Sequence, residues 1–288
     1  MKQLNLFIEL TRLKRPIGFM LLFWPCAWGL TLAYDFSSNL NNYFFYLLLF
    51  FLGSVLMRSA GCIVNDISDK EFDKKVERTK NRPIASNQVS VKLGIFYTLI
   101  LCLFAFLVLI NFNNLTILLA LGSMPLAFTY PLMKRFTYWP QLFLGITFNY
   151  GLVLGWTAIQ GQINTVAIIF YMGAIFWTLG FDTIYGFQDI KDDEIIGIKS
   201  TSIKFKQNPK IFLLLCYTAF LTSLIIIGFL MEFKWLYFMS LLIPIFNMLF
   251  IQIKNFKIKD PINCLKIFKK NNFLGFLILF NILIGKIF

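Results

Sequence analysis

The chain has 288 residues, 58% of them hydrophobic and only 14% charged, with a net charge of +13. A soluble domain carries nearly twice that share of charge, so the composition excludes one and points to a polytopic membrane protein. The excess of lysine and arginine does not indicate nucleic acid, because the cations fall in loops between apolar runs. Histidine is absent, which removes the commonest general base and zinc ligand. The five cysteines, Cys26, Cys62, Cys102, Cys216 and Cys264, show no close pairing and read as small core residues.

Residues 1–16 carry Lys2, Arg12, Lys14 and Arg15 ahead of an apolar run to about Tyr34. That run lacks a small-residue cleavage site, so it is kept as the first span and not assigned to a signal peptide. Further spans are expected at about 43–64, 91–111, 115–132, 140–159, 164–184, 211–231, 235–253 and 272–288. Pro125 and Pro131 are expected to kink or end the fourth. Gly145, Gly151 and Gly155 offer a close-packing face on the fifth. Residues 260–271, DPINCLKIFKKN, read as a short basic amphipathic segment lying on the lipid surface. The fold expected is all-α: nine transmembrane helices around a central cavity, two similar four-helix halves plus a ninth helix, in one domain over 1–288.

Of the 27 lysines and arginines, 24 lie in residues 1–16, 65–92, 134–135, 185–210 and 254–270. The alternate loops hold only Lys234. The bias places the N-terminus and both long polar loops in the cytoplasm and the C-terminus outside.

After the second span comes NDISDKEFDKKVERTKNR, residues 65–82. Asp66, Asp69 and Asp73, beside Asn65, fall at helical spacings of three and four and crowd one face. Packing does not require three mutually repelling carboxylates, whereas a hard divalent cation would relieve them. The cations Lys74, Lys75, Arg78, Lys80 and Arg82 follow directly, suited to an anion. Alone, the stretch reads equally as a metal–phosphate site or a solvated loop. Arg58, inside the second span, breaks the apolar pattern and shares the acidic face, where an intramembrane charge is usually functional.

A second such segment follows the sixth span: FDTIYGFQDIKDDEIIGIKSTSIKF, with Asp182, Asp189, Asp192 and Asp193, then Lys199 and Lys204. Two acidic-then-basic segments, four spans apart on the same side, favour a shared metal site over two solvated loops. An aromatic, apolar wall above such a site suits an isoprenyl diphosphate, with its tail in the lipid and its head at the cytoplasmic face. The dry cavity would shield an allylic cation from water.

NDISDKEFD fits NDxxDxxxD, and DTIYGFQDIKDD fits DxxxxxxDxxDD; together with RPIGFMLLFWP, RSAGCIVND, ERTKNRPIAS, YPLMKRFTYWPQ and GIKSTSIKF they resemble the UbiA superfamily of intramembrane aromatic prenyltransferases over nearly the whole chain. Phe181 stands where relatives often have Tyr, and Gly186 where they often have Ala; neither change removes a ligand. The resemblance is strongest to the branch that prenylates 4-hydroxybenzoate for ubiquinone synthesis. It implies magnesium (Mg2+) dependence, polyprenyl diphosphate and 4-hydroxybenzoate as substrates, contact with membrane lipids, and a bacterial inner (cytoplasmic) membrane. Other acceptors in the superfamily are dihydroxynaphthoate, haem and chlorophyllide; a cation-coupled transporter is the alternative of another class.

By that resemblance Asn65, Asp66, Asp69 and Asp73 hold one magnesium–diphosphate end and Asp189 and Asp193 the other, with Asp192 a ligand or close support. Arg78, Arg82 and Lys199 are expected on diphosphate oxygens. Asp182 is the candidate to polarise the phenol hydroxyl and Tyr185 to shield the cation. Arg58, Lys134 and Arg135 are candidates for the acceptor carboxylate.

Overall fold

The computed structural model describes residues 2–288, and all regular structure among them is helical. In chain order the helices are α1 (Lys2–Leu10), α2 (Ile17–Ala33), α3 (Leu40–Ser68), α4 (Lys70–Asp73), α5 (Val91–Leu109), α6 (Asn114–Thr129), α7 (Met133–Phe136), α8 (Pro140–Gln160) and α9 (Thr165–Gly186). They continue with α10 (Ile190–Ile196), α11 (Thr201–Lys204), α12 (Pro209–Leu230), α13 (Trp235–Ser240), α14 (Leu242–Phe246) and α15 (Pro261–Ile287). A 3₁₀ turn, Tyr130–Leu132, links α6 to α7, and a π-helix, Asn247–Lys254, continues α14.

Eight helical stretches among the described residues are long and apolar enough to cross a membrane, and α2, with 17 residues, is a shorter apolar helix. Together they make the nine expected. Their starts follow side-chain capping: Asn39, Ser90, Asn113, Asn164 and Asp260 each accept a hydrogen bond from a free amide of the first turn.

Three elements depart from expectation. Residues 2–10 form a helix that seats Leu6 and Leu10 against Ala60 and Ile63 of α3. The segment 260–271 is not a separate surface helix but the first turns of α15. Asp260 caps it, Pro261 takes the first position, and Cys264, Ile267, Phe268 and Asn271 are buried in the bundle. Nothing after Asn271 breaks the helix, because Asn271 and Asn272 accept indole N–H groups of Trp177 and Trp24, both at 2.9 Å. The eighth span is broken into α13, α14 and the π-helix, with Pro244 inside α14.

At the centre, α2 lies backbone-to-backbone on α8. A Cβ on Gly29 would fall 2.0 Å from the Leu152 carbonyl oxygen, and one on Gly155 would fall 2.3 Å from that of Cys26. Such close approach is how helices associate in lipid, where apolar burial alone supplies no drive. Around α2, Trp28 stacks on Phe170 and packs against Trp177.

A polar network crosses the C-terminal half. The Tyr217 hydroxyl donates to Gln252 Oε1 at 2.6 Å; Gln252 Nε2 donates to Asn247 Oδ1 at 3.0 Å; Asn271 Nδ2 donates to Gln252 Oε1 at 3.1 Å. All these side chains are buried.

The site is positioned by the lengths of α3 and α9. At 29 residues α3 spans roughly 43 Å, more than the hydrocarbon thickness, so its last turn carries Asn65 and Asp66 out to the interface. The helix α9, at 22 residues, ends near the interface with Tyr185 in its last turn and holds Asp182 about one turn deeper. Each then passes into a short helix, α4 and α10, that carries more acids.

Candidate active site

The two acidic helix ends meet through cations. Arg78, in the loop after α4, donates Nε to Asp189 Oδ1 at 2.7 Å and a second N–H to Oδ2, and its Nη1 reaches the Tyr185 hydroxyl at 3.3 Å. Lys134 of α7 makes an ion pair with Asp69 Oδ2. Arg82 donates Nη1 to Asp73 Oδ2 at 2.8 Å and to Asp66 Oδ1 at 3.2 Å. The backbone N–H of Lys199 donates to the Lys134 carbonyl at 2.9 Å and ties the second basic segment to the α7 turn.

Not every expected residue points inward. Arg135 donates to the Ser68 carbonyl at 2.6 Å and lies over the Phe72 ring, turned away from the acids. Lys199 Nζ donates to the Phe136 carbonyl at 3.3 Å and lies over Tyr138. Asn65, Asp182 and Asp192 are half-buried, and no hydrogen bond engages their side chains among the described residues.

Electrostatics outside the spans reflect crowding. Burial pushes the Asp73 carboxyl above its ordinary range, against the pull of Arg82. Burial, and then the Asp189 charge, push Asp193 up to about 7, although Lys134 and Arg78 favour its ionised form. Unshielded carboxylates in this arrangement are short of positive charge.

A hard cation fits this donor set. It is built of carboxylate and amide oxygens without histidine, and Asp69 Oδ1 is buried with no partner among the described residues. No group of three acids converges on one point among the described residues. The acids are instead held by Arg78, Arg82, Lys134 and one arginine that sequence reasoning missed. That residue is Arg12, whose guanidinium forks onto Asp66, Nη2 to Oδ1 at 2.7 Å and Nη1 to Oδ2 at 3.1 Å. Loop charge had accounted for Arg12 completely; only its left-handed backbone, φ 56, marks it out.

Deeper in the bundle, Arg58 lies over the Phe148 ring at 5.4 Å, and its Nε is buried without a partner among the described residues. Gly18 makes room for it: a Cβ there would fall 2.8 Å from Arg58 Nε. Asp182 and Tyr130 both lie within electrostatic reach of the guanidinium. Beside Asp182 the rings of Tyr185 and Phe181 pack on Phe268 of α15, at 4.5 and 5.8 Å between centroids.

Comparison with known proteins agrees with this geometry. A "4-hydroxybenzoate polyprenyltransferase, mitochondrial" of Arabidopsis thaliana is 40% identical, over 98% of this chain and 69% of its own length. A "4-hydroxybenzoate octaprenyltransferase" of Psychromonas ingrahamii is 38% identical, over 97% and 96%. The apo structure of a UbiA homologue from Aeropyrum pernix superposes with a TM-score of 0.76 at 22% identity, covering 93% of this chain and 98% of that one. A UbiA homologue from Archaeoglobus fulgidus bound to GPP and Mg2+ does so with 0.69 at 18% identity, covering 96% and 99%. Residues 22–279 match the UbiA prenyltransferase family, and the chain belongs to that family.

Proposed function

We propose that this protein transfers a polyprenyl group from polyprenyl diphosphate to the carbon ortho to the hydroxyl of 4-hydroxybenzoate, in ubiquinone biosynthesis, with magnesium as cofactor. The observation that carries the reading is the joining of two acidic helix ends by Arg78 and Lys134 beneath an aromatic-lined region where, among the described residues, Arg58 Nε is buried without a partner.

Asn65, Asp69 and Asp73 on one side and Asp189, Asp192 and Asp193 on the other would hold magnesium, and Asp66 belongs to the same cluster. When bound, the cation supplies charge neutralisation for the departing diphosphate. Arg78 binds diphosphate oxygens by exchanging its carboxylate partner for phosphate, and Arg82 binds them through N–H groups it has not spent on Asp66 and Asp73. Lys134 is already at Asp69, and Lys199, its Nζ on the Phe136 carbonyl, is tied to the same turn through its backbone N–H.

Cleavage of the allylic carbon–oxygen bond leaves its electron pair on the diphosphate. The rings of Tyr185, Phe181 and Phe268 face the resulting allylic cation and keep water from it. Asp182 accepts a hydrogen bond from the phenol hydroxyl and so raises electron density at the ortho carbon, which attacks; that carbon then gives its proton to an oxygen of the departed diphosphate. Arg58 pairs with the acceptor carboxylate, since an unpaired charge at this depth is costly. Arg135, bound to Ser68, is the weaker candidate for that role. The charge of the loops supports a cytoplasmic N-terminus and cytoplasmic acidic loops, and we assign the membrane as a bacterial inner membrane.

The test is transfer itself. Purified protein given labelled geranyl diphosphate, magnesium and a panel of acceptors should prenylate 4-hydroxybenzoate. Transfer to dihydroxynaphthoate or a porphyrin with none to 4-hydroxybenzoate would overturn the acceptor assignment.

A further inference from the structure

One carboxylate of the first acidic segment is unlike the others. Asp66 is 1% exposed, and three N–H groups from two guanidiniums close on it, two from Arg12 and one from Arg82. A carboxylate offers about four acceptor positions, so Asp66 has nearly exhausted its own. Asp69 keeps a buried oxygen with no partner among the described residues, and Asp73 engages only Oδ2. We propose that Asp66 is a positioning residue and not a magnesium ligand: it fixes Arg12 and Arg82 side by side as a cationic cradle for the prenyl diphosphate. The proposal rests on the diphosphate-transfer reading of the site and deepens it.

Charge counting supports the assignment. Arg12 and Arg82 carry two positive charges against Asp66 and Asp73, so a cation taking Asp73 would leave one of them in excess for an anion. A divalent cation on the Asp66 oxygens would lie a few ångströms from both guanidiniums, in a place where solvent screens poorly. Donors remain for the anion. Arg12 spends its Nη1 on Leu10 and Asp66 and one hydrogen of Nη2 on Asp66, so Nε and the second Nη2 hydrogen are free of those partners. Arg82 spends only Nη1. Arg12 also lies within electrostatic reach of Tyr185, Cys62 and Arg58, at the mouth of the same region.

The fold invests in this placement. The apolar face of α1 docks on α3, Thr11 closes the last turn through the Phe7 carbonyl at 2.7 Å, and Arg12 then takes its left-handed backbone. A non-glycine residue there is strained, and such strain persists where the surroundings dictate it. The reversal turns Arg12 back onto its own helix end, at the Leu10 carbonyl, and onto Asp66.

Binding measurements on the full-length chain in detergent separate the two roles. Mn2+ serves as the paramagnetic probe, with a non-hydrolysable geranyl thiodiphosphate as the anion. Asp66→Asn and Arg12→Ala should each weaken thiodiphosphate binding, and raise the KM for geranyl diphosphate, about tenfold. The double variant should be little worse than either single one, because each breaks the same contact. Mn2+ affinity should stay within about twofold in both, while Asp69→Asn should lower it about tenfold. Arg12→Lys should recover only part of the loss, since lysine lacks the fork, and it carries the test if Asp66→Asn does not accumulate. Loss of Mn2+ affinity in Asp66→Asn equal to that in Asp69→Asn, or additive losses in the double variant, would overturn the proposal alone. A wild-type chain that bound no thiodiphosphate would overturn the transfer reading as well.

Discussion

Arg78 and Asp189 close the gap between the two acidic helix ends: they are 111 residues apart and share a two-pronged ion pair, with Tyr185 on the third edge of the guanidinium. The loop after α4 and the start of α10 therefore form one surface. Arg78→Ala should free both loops and lower kcat/KM about 100-fold, mainly through the KM for prenyl diphosphate, with Arg78→Lys intermediate. Steady-state kinetics with each substrate varied in turn checks this. An unchanged KM for the diphosphate would assign Arg78 to loop stability only.

Metal dependence makes a separate claim. Chelation should abolish turnover and magnesium should restore it, and Asp69→Ala or Asp189→Ala should abolish it while the protein still accumulates in membranes. These acids are costly to the fold and useful only with a cation. Turnover indifferent to chelator would exclude the chemistry proposed.

Arg58→Ala should raise the KM for 4-hydroxybenzoate far more than that for the prenyl diphosphate. The loss should be about 2–4 kcal/mol if the charge pair is desolvated. Arg58→Lys should recover a part. A selective loss of diphosphate binding would move Arg58 to the other substrate.

Two glycines in α2 should behave oppositely. At Gly18 a methyl group meets the far end of a flexible arginine, so Gly18→Ala should fold and weaken the acceptor selectively. At Gly29 it meets the backbone of Leu152, which cannot step aside, so Gly29→Ala should not accumulate. Membrane yield and acceptor KM, measured on both, separate them.

Topology can be read independently of activity. Reporter fusions within 65–90 and 185–210 should report cytoplasm and one after Phe288 the opposite side. A cytoplasmic signal after Phe288 would contradict the nine-span arrangement.

The acids were legible in the sequence because carboxylates crowded at helical spacing beside lipid repel one another unless a cation sits among them. Their partners were not. Lys134 and Arg135 are neighbours, yet about 100° of helical turn sends one to Asp69 and the other to the Ser68 carbonyl. Arg12 was hidden by its company, since a basic N-terminus already has a reason to exist in a membrane protein. The segment 260–271 misled because a lysine-rich amphipathic pattern describes a surface helix and the wet end of a spanning helix equally well. Only the burial of Cys264, Ile267 and Phe268 tells them apart.

The network of Tyr217, Gln252, Asn247 and Asn271, joined by the Trp177 indole, bears on how the protein is made. Its members come from α9, α12, the π-helix and α15, and α15 leaves the ribosome after the other three. Until α15 arrives, Gln252 keeps Tyr217 and Asn247, but the Trp177 indole N–H stands without its acceptor on Asn271, and a polar group left that way in lipid is expensive. The three preceding segments therefore wait, inserted but unsettled, for α15. A chain shortened before Asn271 would leave that indole unpaired and Gln252 with one partner fewer, so α15 is what completes the packing of the helices made before it.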